Sequence, residues 1–272
     1  MNSVILCEGE TDVIILSKYL ICQYGFQFTS QHLLDIEQLN KKNTSEVMYN
    51  YKNADNQLLI WAVGGKGKFN LALDKILSIN KLNANIIYHQ VVIFSDNDSH
   101  KEVQKQKKKF YEIISKYEFQ DKPRMSNIEI GEWYTGKMKT KMSGRYIDIK
   151  FLLLSIPSGE NGALETMLLN SFEGEVDKIL ATKAENFVHD LVNNDDKITS
   201  LYLQSRRDII KAPLAVFFAI AAPDRVYVKQ NKIFESVDWG KFATIHNELQ
   251  MLDVFACKNS KYTNFIEQEQ TS

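Results

Sequence analysis

Residues 4–20 read VILCEGETDVIILSKYL, and their pattern decides the fold. Val4-Ile-Leu-Cys7 is an apolar run without in–out alternation, which a strand buried on both faces of a parallel sheet requires. Thr11 to Tyr24 then places Val13, Leu16, Tyr19 and Leu20 at helical spacing. A strand and a helix are therefore joined by an acidic turn, Glu8 to Glu10.

The same unit recurs along the chain. Leu58 to Val63 is a second apolar run, closed by Gly64-Gly65-Lys66-Gly67 and followed by helical spacing at Phe69, Leu71, Leu73, Ile76 and Leu77. Val91 to Phe94 is a third, closed by Ser95-Asp96-Asn97-Asp98, with a Lys-rich helix expected from Glu102 to Phe119. Phe151 to Ile156 is a fourth, stopped by Pro157 and followed by a helix within Asn161 to Phe172. Four such units predict an α/β core with a mostly parallel four-stranded sheet flanked by helices on both faces.

Two stretches break the cadence, polar Phe26 to Gln57 and mixed Asp121 to Asp148, and both read as insertions. After Gly174 the pattern is helical and non-repeating, over Val176–Leu191, Ile198–Ile209, Lys211–Ala222 and Trp239–Leu252. The expected organisation is a catalytic core over residues 1–172, a helical C-terminal elaboration over 173–258 and a polar tail over 259–272.

With 44% hydrophobic and 25% charged residues the chain can bury a sizeable core. Its net charge of -1 means that nucleic-acid affinity must be local, metal-bridged or supplied by a partner. Cys7, Cys22 and Cys257 are odd in number and lack CxxC spacing, which suggests neither a disulfide framework nor a zinc knuckle and suits a reducing cytosol. Glu8, Glu10 and Asp12 interrupt the opening apolar stretch, so it does not read as a secretory signal. Ala212 to Ala222 falls short of the roughly 18 residues a membrane span needs. The expectation is a soluble, cytoplasmic protein with no membrane partner.

In open parallel sheets ligands collect at the carboxyl ends of strands. Here those ends carry Glu8 with Asp12, then Gly64 to Lys68, then Asp96 with Asp98, then Ser158, Glu160 and Glu165. Glu8, Asp12, Asp96 and Asp98 gathered at one edge repel one another unless a cation neutralises them, and hard oxygen ligands suit Mg²⁺ or Mn²⁺. One ion suffices for these four. Glu165 makes a second possible, with Glu160 in its place should Glu165 face away.

At these residues the chain resembles the Toprim domain of topoisomerases, bacterial primases, recombination-repair proteins and the overcoming-lysogenization-defect nucleases. VILCEGETDVIILSKYL is similar to the first Toprim signature, and VVIFSDNDS at 91–99 to the second, with the Gly64–Gly67 strand exit between them. The resemblance covers about residues 1–170 and implies a Toprim-like Rossmannoid core, Glu8 as catalytic acid or metal ligand, and Asp12, Asp96 and Asp98 as metal ligands. SGENGALETML at 158–168 resembles a segment of the overcoming-lysogenization-defect type, which implies that Glu165 serves a second metal. DIIKAPLAVFF at 208–218 offers Lys211 as the match to a lysine that opens a late helix near the scissile phosphate. Both insertions are longer than a minimal Toprim domain has.

Neither the tyrosine-bearing winged domain of topoisomerases nor the zinc module of primases is visible. No G-x-x-x-x-G-K-[ST] occurs either, so an ATPase, if used, is another chain. By resemblance, small stand-alone Toprim proteins work beside an ATPase in defence against phage or plasmids, which implies such a partner and allows a homodimer. The implied activity is metal-dependent cleavage of DNA or RNA. One alternative is a Toprim module that holds metal and nucleic acid or a nucleotide without cutting. Another is a haloacid-dehalogenase-type phosphatase with Asp96 as nucleophile, which leaves Glu8 and Asp12 unused.

Several of these residues also have plainer readings. Glu8 to Asp12 alone is a solvated turn with Asp12 favoured by the helix dipole. Gly65, Lys66 and Lys68 are either a flexible strand–helix turn or a phosphate cradle, since helix N-termini bind anions. Lys101, Lys105, Lys107, Lys108 and Lys109 fit a solvated helix face. Lys137, Lys139, Lys141 and Arg145, among Trp133, Tyr134 and Tyr146, fit either an ordinary loop or a nucleic-acid surface combining backbone contacts and stacking. His100 is a surface residue or approaches the metal.

Overall fold

The computed structural model describes residues 1–30, 36, 38–39, 45–82, 86–97, 99–120, 122, 124–141, 144–157, 162–172, 174–221, 237–245 and 247–255. Asp98, Ser158, Glu160, His246, Cys257 and the expected tail lie outside the described residues.

All four predicted strands form: β1 (Asn2–Cys7), β4 (Asn56–Ala62), β5 (Tyr88–Asp96) and β7 (Tyr146–Ile156). They stand side by side in the order β4-β1-β5-β7. β1 pairs in parallel with both β4 and β5. β5 and β7 run the same way, because His89 Nδ1 meets the Asp148 carbonyl at one end and the Asn97 amide meets the Ile156 carbonyl at the other. Burial on both faces explains the unbroken apolar runs: Val4, Ile5, Leu6 and Cys7 are all inaccessible to solvent.

The sheet is larger than four strands. β2 (Gln27–Thr29) and β3 (Val47–Asn53) add antiparallel to β4 on one edge, and β6 (Trp133–Lys139) adds antiparallel to β7 on the other. The result is a seven-stranded, mostly parallel sheet in the order β2-β3-β4-β1-β5-β7-β6. The two stretches read as insertions are therefore sheet edges in part. They lack continuous apolar runs because strands at and next to the sheet edges are only partly withdrawn from water.

The chain divides into two compact units. The first, Met1–Ser95 with His100–Ser155 and the segment from Glu248, holds the sheet. Val4, Leu6, Leu59, Trp61, Val91 and Ile93 form one face and share a core with α2 (Phe69–Leu82) and α3 (His100–Ile114). α1 (Glu10–Tyr24) lies against β3 and β4. A 3-10 stretch at Asn247–Phe255 returns to this unit, where Tyr24 and Tyr19 bond Asp253 and the Leu249 carbonyl and Trp133 Nε1 donates to the Met251 carbonyl.

The second unit, Asp96–Ser99 with Ile156–Asn247, is helical: α4 (Leu164–Leu169), α5 (Glu175–Asn194), α6 (Asp196–Tyr202), α7 (Arg206–Ala221) and α8 (Trp239–Ile245). The helix expected over Ile198–Ile209 is two, because the chain breaks at Leu203–Ser205 and restarts with Asp208 accepting from the Ser205 amide. Lys211 consequently sits in the second turn of α7, not at a helix opening. Among the described residues no helix is long and apolar enough to cross a membrane.

Leu6 is buried on the central strand whereas Leu82 is exposed at the end of α2. Leu6→Ala is expected to cost about 2–5 kcal/mol in urea unfolding, and Leu82→Ala to stay within about 0.5 kcal/mol. Equal effects would contradict the central placement of β1.

Candidate functional site

The turn from β1 into α1 is held from several directions. Asp12 lies in the first turn of α1, and its Oδ2 accepts from the Glu8 amide at 3.1 Å and the Gly9 amide at 2.9 Å. These bonds occupy backbone donors at the helix entry, where a carboxylate is also favoured by the dipole. The Glu8 carbonyl accepts from the Gly64 and Gly65 amides, each at 2.9 Å. That double contact needs φ of 77° at Gly64 and 115° at Gly65, backbone that side-chain-bearing residues rarely adopt. The Gly64–Gly65 pair at the end of β4 thus pins the residue that leaves β1.

Glu8 and Asp12 are buried, at 2% and 3% exposure. A carboxylate so far from water requires compensating charge or hydrogen bonds. Lys66, the first residue of the short 3-10 turn Lys66–Lys68 that leads into α2, places Nζ 3.3 Å from Glu8 Oε1. Lys68 follows with its amide bonded to the Gly65 carbonyl. Gly65, Lys66 and Lys68 therefore make a shaped turn at the exit of β4, next to the exit of β1.

Asp96 and Glu165 come together in the second unit, each 4% exposed. Asp96 ends β5, and its Oδ1 accepts from the Leu164 amide at 3.3 Å. Glu165 lies in the first turn of α4. Lys211 reaches both from α7, 3.3 Å from Asp96 Oδ2 and 2.6 Å from Glu165 Oε1. The other oxygen, Glu165 Oε2, is buried and has no hydrogen-bond partner among the described residues.

Asn97 organises this region, although sequence reasoning passed over it as the middle of Asp-x-Asp. Its amide donates to the Ile156 carbonyl at 2.6 Å, its Nδ2 to the Pro157 carbonyl at 3.0 Å, and its carbonyl accepts from Gly162 at 3.0 Å. Gly162 is required by close approach: a Cβ there would come within 2.7 Å of the Pro157 ring, which follows a cis peptide bond. The signal available beforehand was the Pro and Gly flanking SGEN, a composition that marks special backbone.

Other residues singled out from the sequence lie elsewhere. Lys139, Lys141 and Arg145 belong to the β6–β7 hairpin, at the start of β7 and about ten residues, roughly 30 Å, from its carboxyl end. Lys139 pairs with Glu118 at 2.8 Å, which lowers the Glu118 carboxyl below its usual range and raises the lysine. Of the neighbouring aromatics, Trp133 sets its ring edge-on to Phe255 and Tyr134 stacks on Phe151, while Tyr146 is exposed. On α3 the lysines are mostly exposed, with Lys105 beside Glu102, a solvated helix face. His100 is exposed at the first position of α3.

No curated protein matches the chain. Its fold is similar to that of the crystal structure of hypothetical protein PH0156 from Pyrococcus horikoshii OT3, with a TM-score of 0.51 and 15% identity over 93% of this chain and 98% of that one. At that identity the likeness is one of fold. A family model described as "Protein of unknown function (DUF3226)" matches residues 2–239, and the chain therefore belongs to that family.

Proposed function

We propose that the chain is a divalent-metal-dependent nuclease that hydrolyses phosphodiester bonds, built on a Toprim-type core. The observation that carries this reading is the burial of Glu8, Asp12, Asp96 and Glu165 at or just beyond the carboxyl ends of parallel strands, with Lys66 and Lys211 as ion-pair partners. β1 and β5 are parallel neighbours, so Glu8 and Asp96 leave the sheet at the same edge.

The donors fit Mg²⁺ or Mn²⁺, being hard oxygens throughout and including the buried Oε2 of Glu165, which has no hydrogen-bond partner among the described residues. Of the acids read as ligands, Asp96 and Glu165 lie together in the second unit, where they would hold the ion. When bound, a divalent cation polarises a phosphate oxygen and offsets the charge that develops in hydrolysis.

The chain's own groups supply the rest. Lys66, on the glycine turn before α2, draws a phosphate towards amides at a helix N-terminus. Glu8, held by its backbone on both sides, exchanges a proton with the reacting oxygens. Water adds to phosphorus, the P–O bond to the leaving oxygen breaks, and that oxygen takes up a proton. With a near-neutral surface and the Lys139–Arg145 hairpin at the other end of its strand, substrate affinity rests on the strand-exit lysines and on partners. By analogy with stand-alone Toprim proteins, those partners are a separate ATPase in an anti-phage system and a second copy of the chain, in the cytoplasm.

Incubating the purified protein with supercoiled plasmid and with total RNA tests the proposal. Cleavage is expected with Mg²⁺ or Mn²⁺ and none with chelator, and Glu8→Gln or Asp96→Asn should slow it by about 10²-fold or more. Cleavage that survives chelation, or variants as active as the parent, would refute it.

Asp12 combines helix capping with the proposed metal role, and two substitutions separate them. Asp12→Ala removes the acceptor for two amides and should cost about 1–2 kcal/mol, whereas Asp12→Asn keeps an acceptor oxygen. Thermal unfolding with and without Mn²⁺ is expected to show Asp12→Asn more stable than Asp12→Ala, with both deprived of the stabilisation that Mn²⁺ confers on the parent.

A further inference from the structure

The ammonium of Lys211 bridges the two acids that would carry a second metal ion. Its Nζ lies 2.6 Å from Glu165 Oε1 and 3.3 Å from Asp96 Oδ2. We propose that Lys211 takes the place of a second cation, so that each chain binds one divalent ion beside a fixed ammonium. This rests on the metal reading above and departs from the two-ion arrangement that Glu165 suggested in the sequence.

The geometry excludes sharing. A divalent ion bridging the same two oxygens would sit about 2.0–2.6 Å from each, in the space the ammonium fills. The remaining oxygens are not equivalent. Asp96 Oδ1 already accepts from the Leu164 amide, while Glu165 Oε2 is buried without a hydrogen-bond partner among the described residues. Glu165 Oε2 and the second lone pair of Asp96 Oδ1 are thus what this acid pair offers a metal, enough for one shared ion.

Charge leads to the same result. Lys211 cancels one of the two negative charges that Asp96 and Glu165 bring, which leaves this pair short of what a second doubly charged ion needs in a buried place. Lys211 is also well placed to stay. It arrives from the second turn of a sixteen-residue helix, α7, which packs on α4 and α5, and its side chain is only 24% exposed. A lysine acts as a compact point charge, which suits neutralising an oxygen without a metal's demand for several ligands.

Binding of Mn²⁺, counted by electron paramagnetic resonance as free ion during titration of the protein, reads this out without any need for turnover. One ion per chain is expected for the parent and for Lys211→Arg, and two for Lys211→Met, where the vacated oxygens admit a second. Two ions on the parent protein would overturn the proposal with the metal reading intact, and that count stands whether or not Lys211→Met folds. One ion on a folded Lys211→Met would also overturn it. No bound ion on any of the three would instead remove the metal reading and this inference with it.

Discussion

Carboxylates withdrawn from water at the ends of strands are the constraint around which this protein is arranged. Glu8, Asp12, Asp96 and Glu165 are nearly inaccessible, and a buried charge without compensation costs several kcal/mol. Lysines compensate three of these acids and backbone amides the fourth. Lys66 pairs with Glu8, backbone amides serve Asp12, and Lys211 serves Asp96 and Glu165. The tight turns nearby hold these partners in place: the left-handed glycines at 64 and 65 fix the Glu8 backbone, and Asn97 ties the exit of β5 to that of β7.

The sheet makes such an edge possible. Its four central strands run the same way and are apolar on both faces, so the polar groups of the chain are displaced to the strand ends. Antiparallel strands close the two sides. One of these closures, the β6–β7 hairpin, takes Lys139, Lys141 and Arg145 to the opposite end from the acids, and its Trp133 and Tyr134 pack within the protein. A nucleic-acid track there, acting jointly with the acids, has no geometric support along that strand.

An acidic edge flanked by lysines suits phosphate chemistry for a general reason. Acids gather a hard cation and lysines gather an anion, and a phosphodiester under attack needs both. The two lysines differ in what surrounds them. Lys66 stands on a glycine turn at a helix entry, and helix entries favour anions in general. Lys211 is inserted between carboxylates from a helix interior, the place of a resident counter-ion. That difference is the basis for giving the two lysines separate roles.

The central strands and the acids at their exits were legible from residues 4–20, 58–68, 91–98 and 151–156, because burial on both faces leaves unbroken apolar runs. The three outer antiparallel strands were not, since β2, β3 and β6 mix polar with apolar residues and form no continuous apolar run. Nor could the residue order show that Lys66 meets Glu8 across 58 positions, that Lys211 meets Glu165 across 46, or that Asn97 binds the Pro157 turn. Local pattern records which surfaces avoid water. Which opposite charges share a buried place depends on how separate elements pack, and that was decided by the tertiary structure alone.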